Sequence, residues 1–512
     1  MARRSFRIGA AFAFWAIAGW GSVQAMTLEE ALRIDKGFQL FTTEKFNGNG
    51  RTCSTCHLPE KNYTISPADI VFLPAPQADL VFAKKTPGLE NAKLVSKFAL
   101  FNIGPGNANV AFPVGPFRTS MTMAGLDLTV SNCRVPPPFS PVCPGVTADD
   151  ARTGPQLGWS GDGSPRNPHH GNADLDADGS LRGFTNGAIA QHFPKTLNRR
   201  VPSDFRFATD DELDAIEAFL RWLGRRPVNA PPADPERPAN REFNILPTAV
   251  TPGLTFKDAR VREGLAIFIS DEASCNSCHR NGGAHFNLSR FGDPPGTNFN
   301  SLTDVDEDRA KVSFVTKVIV PKDEGGENTP GFGPTSFGAF NIQPLIEAPR
   351  KKSFFHLGAE TDFEKALAFY FREPFISSAE IDPEHCRDTV CLETTFGPKP
   401  LERLGAFLRS LSAFYSLRDC ERLIGETIER IDLGAPQNLP ALHCRFALDD
   451  VQSVLDTAKI TPRPFPAVSS AVQGLKKRLQ AAATYKDKPA LQQLLTEVAA
   501  LRSQVATLEL AP

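Results

Sequence analysis

Methionine is nearly missing from this chain: four in 512 residues, at Met1, Met26, Met121 and Met123, with none in the second half. Tyrosine and tryptophan are as scarce, at four each against 39 phenylalanines, so the side chains able to bind through a phenol or relay an electron are few. Past residue 25 no stretch reaches the roughly 18 apolar residues that a membrane-crossing helix needs, and the mature chain is expected not to span a membrane. Charge of one sign is not in excess either. The 56 basic and 58 acidic side chains nearly cancel and form no long block, which leaves out a nucleic-acid partner. A small molecule or another protein is the expected partner.

Residues 1–25 read as a secretory signal peptide: Arg3 and Arg4, an apolar run from Ile8 to Gly19, then Val23-Gln24-Ala25 as a small-residue cleavage site. Export places the protein in the periplasm. Of ten cysteines, four belong to two motifs described below and six remain. Proximity favours the bridges Cys133–Cys143, Cys386–Cys391 and Cys420–Cys444, which an oxidising compartment permits; six buried thiols are the alternative.

One plan is used twice. A helical lead-in from Ala31 to Phe41 carries Gly37-x-x-Leu40-Phe41, and one from Ala259 to Phe268 carries Gly264-x-x-Ile267-Phe268. Each half closes with a helix reading Ala-Phe-Leu-Arg, the first opening at Asp210-Asp211-Glu212 and the second at Leu401. The expected class is mainly α, two similar domains with long loops plus a C-terminal helical extension. The units are residues 26–226, a proline-rich linker 227–253, residues 254–420 and the extension 421–512. In the extension, Leu491, Leu494, Val498, Leu501, Val505 and Leu508 form a short coiled-coil seam, which fits either dimerisation or packing on the protein's own body.

Between each lead-in and closing helix stands a Cys-x-x-Cys-His unit, Cys53-Ser-Thr-Cys56-His57 and Cys275-Asn-Ser-Cys278-His279. In such a unit the two thiols form thioethers to porphyrin vinyl groups, and the adjacent histidine reaches the iron from the same turn. Two units in an exported chain predict two covalent c-type haems and leave little room for a zinc knuckle or a redox dithiol. Covalent haem attachment follows export, so the general secretory route fits better than the twin-arginine route that Arg3-Arg4-Ser5-Phe6 faintly echoes. With no methionine in the second half, the second haem must take His, Tyr, water or nothing as its sixth ligand, giving it a low potential or an open site.

From Leu28 to Tyr415 these features resemble the bacterial di-haem cytochrome c peroxidase and MauG superfamily, so that the two domains are expected to be cytochrome c-like. Gly158-Trp159-Ser160-Gly161-Asp162-Gly163 is similar to that family's Trp-Asp-Gly-Arg segment, and Phe354-Phe355-His356-Leu357-Gly358 to its Tyr-Phe-His-Asp-Gly segment. The resemblance implies that the first haem meets hydrogen peroxide and that Trp159 bridges the haems. It also implies that Tyr370 ligates the second haem, as in MauG-like members, where peroxidases place methionine. The family's usual distal glutamate aligns with Pro194, which leaves His192, with Gln191 beside it, as the substitute acid-base group. Its calcium site is in doubt, because Ala124, Lys351 and Ser353 stand at ligand positions. A separate calcium candidate, Asp174-x-Asp176-x-Asp178-Gly179, lacks the closing glutamate and reads equally as a solvated acidic turn.

The expected function is a periplasmic di-haem oxidoreductase that reacts with peroxide and oxidises a protein partner. A conventional peroxidase drawing electrons from a small redox protein, and a non-enzymatic di-haem electron carrier, are the alternatives. Oxygenase chemistry on an apolar polymer is a more remote one.

Overall fold

Two helix pairs, each crossing at a glycine, organise the molecule. The computed structural model describes residues 26–104, 115–123, 158–159, 181–224, 254–279, 298–299, 306–321, 323, 340–341, 343, 345–373, 375–377, 384–436, 438–456 and 466–508. The signal peptide, the linker, Cys133, Cys143, Ala124, Asp174, Asp176 and Asp178 lie outside the described residues.

The first lead-in helix is Leu28–Thr43, opened by a capping box in which the Thr27 side chain accepts from the Glu30 amide and Glu30 reaches back. Its Ala31, Ile34, Gly37 and Phe41 recur at helical spacing and are buried. The first closing helix, Asp210–Leu223, begins on the same device, Thr209 with Glu212, and buries Leu213, Ile216, Phe219 and Leu223. The two cross where a Cβ on Gly37 would stand 2.0 Å from the carbonyl oxygen of Ala215. Phe41 packs on Phe219 beside that crossing, with ring centroids 5.5 Å apart.

The second unit repeats this. Its lead-in helix is Ala259–Ile269 and its closing helix Pro400–Asp432. A Cβ on Gly264 would stand 2.0 Å from the carbonyl oxygen of Arg403, and Phe268 packs on Phe407 with centroids 5.3 Å apart. The Gly-x-x-apolar-Phe pattern thus has one cause in both halves: glycine lets the helix backbones touch, and the phenylalanine one turn on locks the crossing.

Strands are few, as expected of a mainly α chain. Among the described residues they form three two-stranded ribbons: Leu100–Asn102 with Phe117–Thr119, Leu254–Phe256 with Ala506–Leu508, and Asn298–Phe299 with Phe340–Asn341.

The second closing helix runs unbroken for 33 residues, past position 420, where the second unit was expected to end. Helices Asn438–Asp456 and Lys488–Val505 fold back on it, and Pro466–Tyr485 packs across those two. Leu491, Leu494, Val498, Leu501 and Val505 are buried in that packing, so of the two readings of the stripe, dimerisation or packing on the protein's own body, the second is the one seen. The seam also ends early: Leu508 lies on the ribbon strand paired with Leu254, not on the helix. Two of the expected disulfides are formed, Cys386–Cys391 and Cys420–Cys444, the latter stapling the long helix to Asn438–Asp456. Among the described residues no helix is long and apolar enough to cross a membrane.

Candidate functional site

Both Cys-x-x-Cys-His units are single helical turns. The His57 amide donates to the Cys53 carbonyl at 3.1 Å and the His279 amide to the Cys275 carbonyl at 2.9 Å, so each histidine sits one turn after its first cysteine. None of these four cysteines is in a disulfide, whereas the other four described cysteines are bridged. Burial pushes the Cys53, Cys56 and Cys275 thiols up to about 12, which keeps them protonated and poor as thiolate ligands. No cluster of three or more His, Cys, Asp or Glu side chains placed to hold a bare metal ion occurs among the described residues.

The first unit hangs from a buried frame. Arg51, two residues before Cys53, donates to the carbonyls of Leu80 and Val81 at 2.7 Å each and pairs with buried Glu90 at 2.8 Å. Asn49 donates to the carbonyls of His192 and Pro194 at 3.1 and 3.2 Å. On the histidine itself, Nδ1 donates to the Tyr63 carbonyl at 2.7 Å, with the Ser120 hydroxyl 3.2 Å away. This fixes the tautomer and leaves Nε2 with its lone pair, the form an iron requires.

His192 ends the helix Leu181–His192. Burial first, then the charges of Arg51, His57 and Arg199, lower its imidazole to about 3. A neutral, half-buried imidazole within electrostatic reach of His57 can accept a proton and pass it on but is not a standing acid. Gln191 is half-buried one residue earlier on the same turn.

At the second unit, Tyr370 stands beside the cysteine pair. Its phenol is raised by burial and then by Cys275 and Cys278, and its ring belongs to the apolar cluster of Cys275, Ile267, Ala273 and Phe371. The helix Phe363–Ala368, capped by Asp362, tightens into a 3-10 turn at Phe369–Phe371 that delivers the ring. Below it, His385 Nε2 donates to the Tyr370 carbonyl at 2.7 Å. Burial lowers the His279 imidazole to about 4, with the Gln343 backbone offsetting part of that.

Trp159 packs between Thr119 and His356. Its indole N–H donates to the Thr119 carbonyl at 2.9 Å, while the Thr119 amide and hydroxyl donate to the carbonyls of His356 and Phe355 at 2.8 and 3.1 Å. The buried His356 ring is edge-on to Trp159 at 6.4 Å and stacked on Phe340 at 3.8 Å, and the Phe355 ring reaches Tyr370 at 6.4 Å. With Ser120 touching His57, an unbroken line of contacts joins the two units. The Lys351 ammonium stands 5.2 Å over the Trp159 ring, where burial lowers it to about 8.

Two histidines went unnoticed in the sequence, His385 under Tyr370 and His443 against Tyr63. Each opens a His-Cys-Arg triplet whose cysteine is in a disulfide, and that repeated triplet was the available signal.

These features fit a porphyrin attached through two thiols and one histidine at each unit, with the tautomer of His57 fixed by Tyr63. They define a mainly α protein in which a Cys-x-x-Cys-His site occurs twice. No protein-family model and no curated protein matches the chain. Among solved structures it is similar to a MauG-like protein associated with microbial copper homeostasis, at 15% identity and TM-score 0.36 over 75% of this chain and 89% of that one. The diheme peroxidase BthA from Burkholderia thailandensis matches at 16% identity and TM-score 0.34, over 74% of this chain and 86% of that one. Likenesses of this size leave the argument to the residues of this chain.

Proposed function

We propose that the chain is an exported di-haem oxidoreductase of the peroxidase type, with Cys53, Cys56 and His57 holding one haem and Cys275, Cys278 and His279 the other. The haems, when bound, supply the electron exchange with hydrogen peroxide; the protein binds, orients and moves protons. His57 presents Nε2 because its Nδ1 is committed to Tyr63. His192, neutral and half-buried, takes a proton from the inner oxygen of peroxide and returns it to the outer one, with Gln191 beside it as a hydrogen-bonding group. Tyr370 serves the second site as an anionic oxygen ligand, a donor that favours oxidised iron. Trp159 carries electrons between the sites, and the partner that is finally oxidised is a protein.

The observation that carries this reading is the contact line from His57 through Ser120 and Thr119 to Phe355 and Tyr370, with Trp159 hydrogen-bonded to Thr119 beside it. An electron carrier with independent haems needs no such line. The two disulfides support a periplasmic location. The test is the EPR spectrum of the oxidised holoprotein before and after one equivalent of hydrogen peroxide, without prior reduction. Loss of both ferric signals is expected. Unchanged spectra would leave a protein that needs reductive activation or only transfers electrons.

A further inference from the structure

Tyr63 stands between two histidines from distant parts of the chain. Its carbonyl accepts from His57 Nδ1, and its hydroxyl is hydrogen-bonded to His443 Nε2 on the extension helix Asn438–Asp456. The other nitrogen of His443 settles the tautomer: Nδ1 lies 2.9 Å from the carbonyl oxygen of Leu439, which can only accept. Nδ1 therefore carries the proton, and Nε2 turns its lone pair to the phenol. The two rings are stacked, 5.8 Å apart and 11° from parallel, and are 2% and 6% exposed. Trp222 meets His443 edge-on at 4.7 Å, its indole N–H donating to Glu426 at 2.6 Å. Beyond them, half-buried Arg422, Asp419 and Phe446 line a pocket that reaches the surface.

We propose that Tyr63 and His443 form a proton-coupled redox pair that carries an oxidising equivalent from the first Cys-x-x-Cys-His site toward the pocket at Trp222. The proposal rests on the haem reading of that site. Tyr63 gives one electron to the peroxide-oxidised haem, which is reduced by one electron. The phenolic O–H bond breaks and its proton passes to His443 Nε2, leaving a neutral tyrosyl radical and an imidazolium. An electron delivered through Trp222 from a one-electron donor at the pocket reduces the radical, and the proton returns. A buried phenol cannot shed an electron alone, because an uncompensated cation in an apolar interior costs too much. His443 Nε2 is the base aimed at it, and it comes from the extension rather than from the haem unit.

The test is freeze-quenched EPR of the holoprotein after one equivalent of peroxide, with and without ring-deuterated tyrosine, while the Soret band reports haem oxidation. A radical whose hyperfine structure collapses on deuteration is expected. Tyr63→Phe should abolish it and Tyr415→Phe should leave it. His443→Gln keeps a hydrogen-bond acceptor but no base, so the yield should fall about tenfold or more. An undiminished radical in His443→Gln, or none in the wild type despite a shifted Soret band, overturns the pair and spares the haem reading. An unshifted Soret band counts against the haem reading instead. The pair is then read by flash oxidation of the holoprotein with ruthenium tris-bipyridine, where a tyrosyl transient lost in Tyr63→Phe sustains it and none overturns it.

Discussion

His385 Nε2 donates to the carbonyl oxygen of Tyr370 across 2.7 Å, and the imidazole lies flat on the neighbouring Phe371 ring, 5.1 Å away and 4° from parallel. The next residue, Cys386, donates its amide to the Glu272 carbonyl at 2.8 Å, three residues before Cys275, and is bridged to Cys391. Tyr370 is therefore held against the second cysteine pair through its own backbone. Tyr370→Phe should abolish the low-spin signature of the second haem and raise its potential, since an anionic oxygen donor favours ferric iron. His385→Ala should keep the phenol but loosen it, giving a heterogeneous low-spin signal and a stability loss of about 1 kcal/mol for the lost hydrogen bond. EPR with a redox titration distinguishes these outcomes. A wild-type spectrum in Tyr370→Phe would remove the ligand assignment.

The glycine crossings give a test of the duplicated fold that is independent of cofactor. Gly37→Ala and Gly264→Ala each place a methyl 2.0 Å from a helix carbonyl, which neither backbone can accommodate without moving. Each should cost roughly 1–3 kcal/mol, as overpacking does. Gly187→Ala, where an added Cβ meets nothing within 4 Å, should be neutral or stabilising by a few tenths of a kcal/mol, the helix preference for alanine. Equilibrium denaturation of the three variants reads the difference.

The parts legible in the sequence were those whose cause is local. The helix opening at Asp210-Asp211-Glu212, the Gly-x-x-apolar-Phe patterns ending at Phe41 and Phe268, and the one-turn reach from Cys53 to His57 are all set within a few residues. What was not legible depends on contacts between distant segments. Tyr63 meets His443 across 380 positions, and nothing near either residue announces the other. The apolar stripe from Leu491 to Val505 was read correctly as a buried face, but a stripe does not say what covers it, and here it is the long closing helix. Leu508 was misassigned for a related reason. Its spacing continues the helix, whereas pairing with Leu254 turns the chain into a strand.

Lys351 supplies a pH-dependent test of the environment of Trp159. Its side chain is half-buried, and desolvation lowers the ammonium to about 8, whereas in an unfolded chain a lysine keeps its proton to about 10.4. Between these values the unfolded state binds more protons, so this side chain makes stability rise with pH through that window; below pH 8 the desolvated charge is a standing cost. Lys351→Met should stabilise the protein at pH 7 and flatten the rise between pH 8 and about 10. Urea midpoints of both proteins across that range check it. A parallel pH dependence in the two would show that the ammonium is solvated rather than desolvated over the indole.

His192 carries the prediction closest to the chemistry. Burial, together with the positive charge of Arg51 and Arg199, holds its imidazole neutral down to about pH 3. If it moves the peroxide proton, its competence does not change between pH 5 and 8, and the rate of the peroxide reaction should be flat there instead of following an ordinary histidine titration near 6.5. His192→Ala should slow that reaction by about 10²- to 10⁴-fold, the usual contribution of a positioned proton-transfer group. The backbone bonds from Asn49 and Arg51 end on the His192 carbonyl, not on its ring, so the substitution leaves the frame of the Cys53 turn in place. Stopped-flow measurement of the Soret change against peroxide concentration separates the outcomes. A wild-type rate constant in His192→Ala would return the residue to a packing role, and a rate that titrates near 6.5 would mean that water reaches the imidazole.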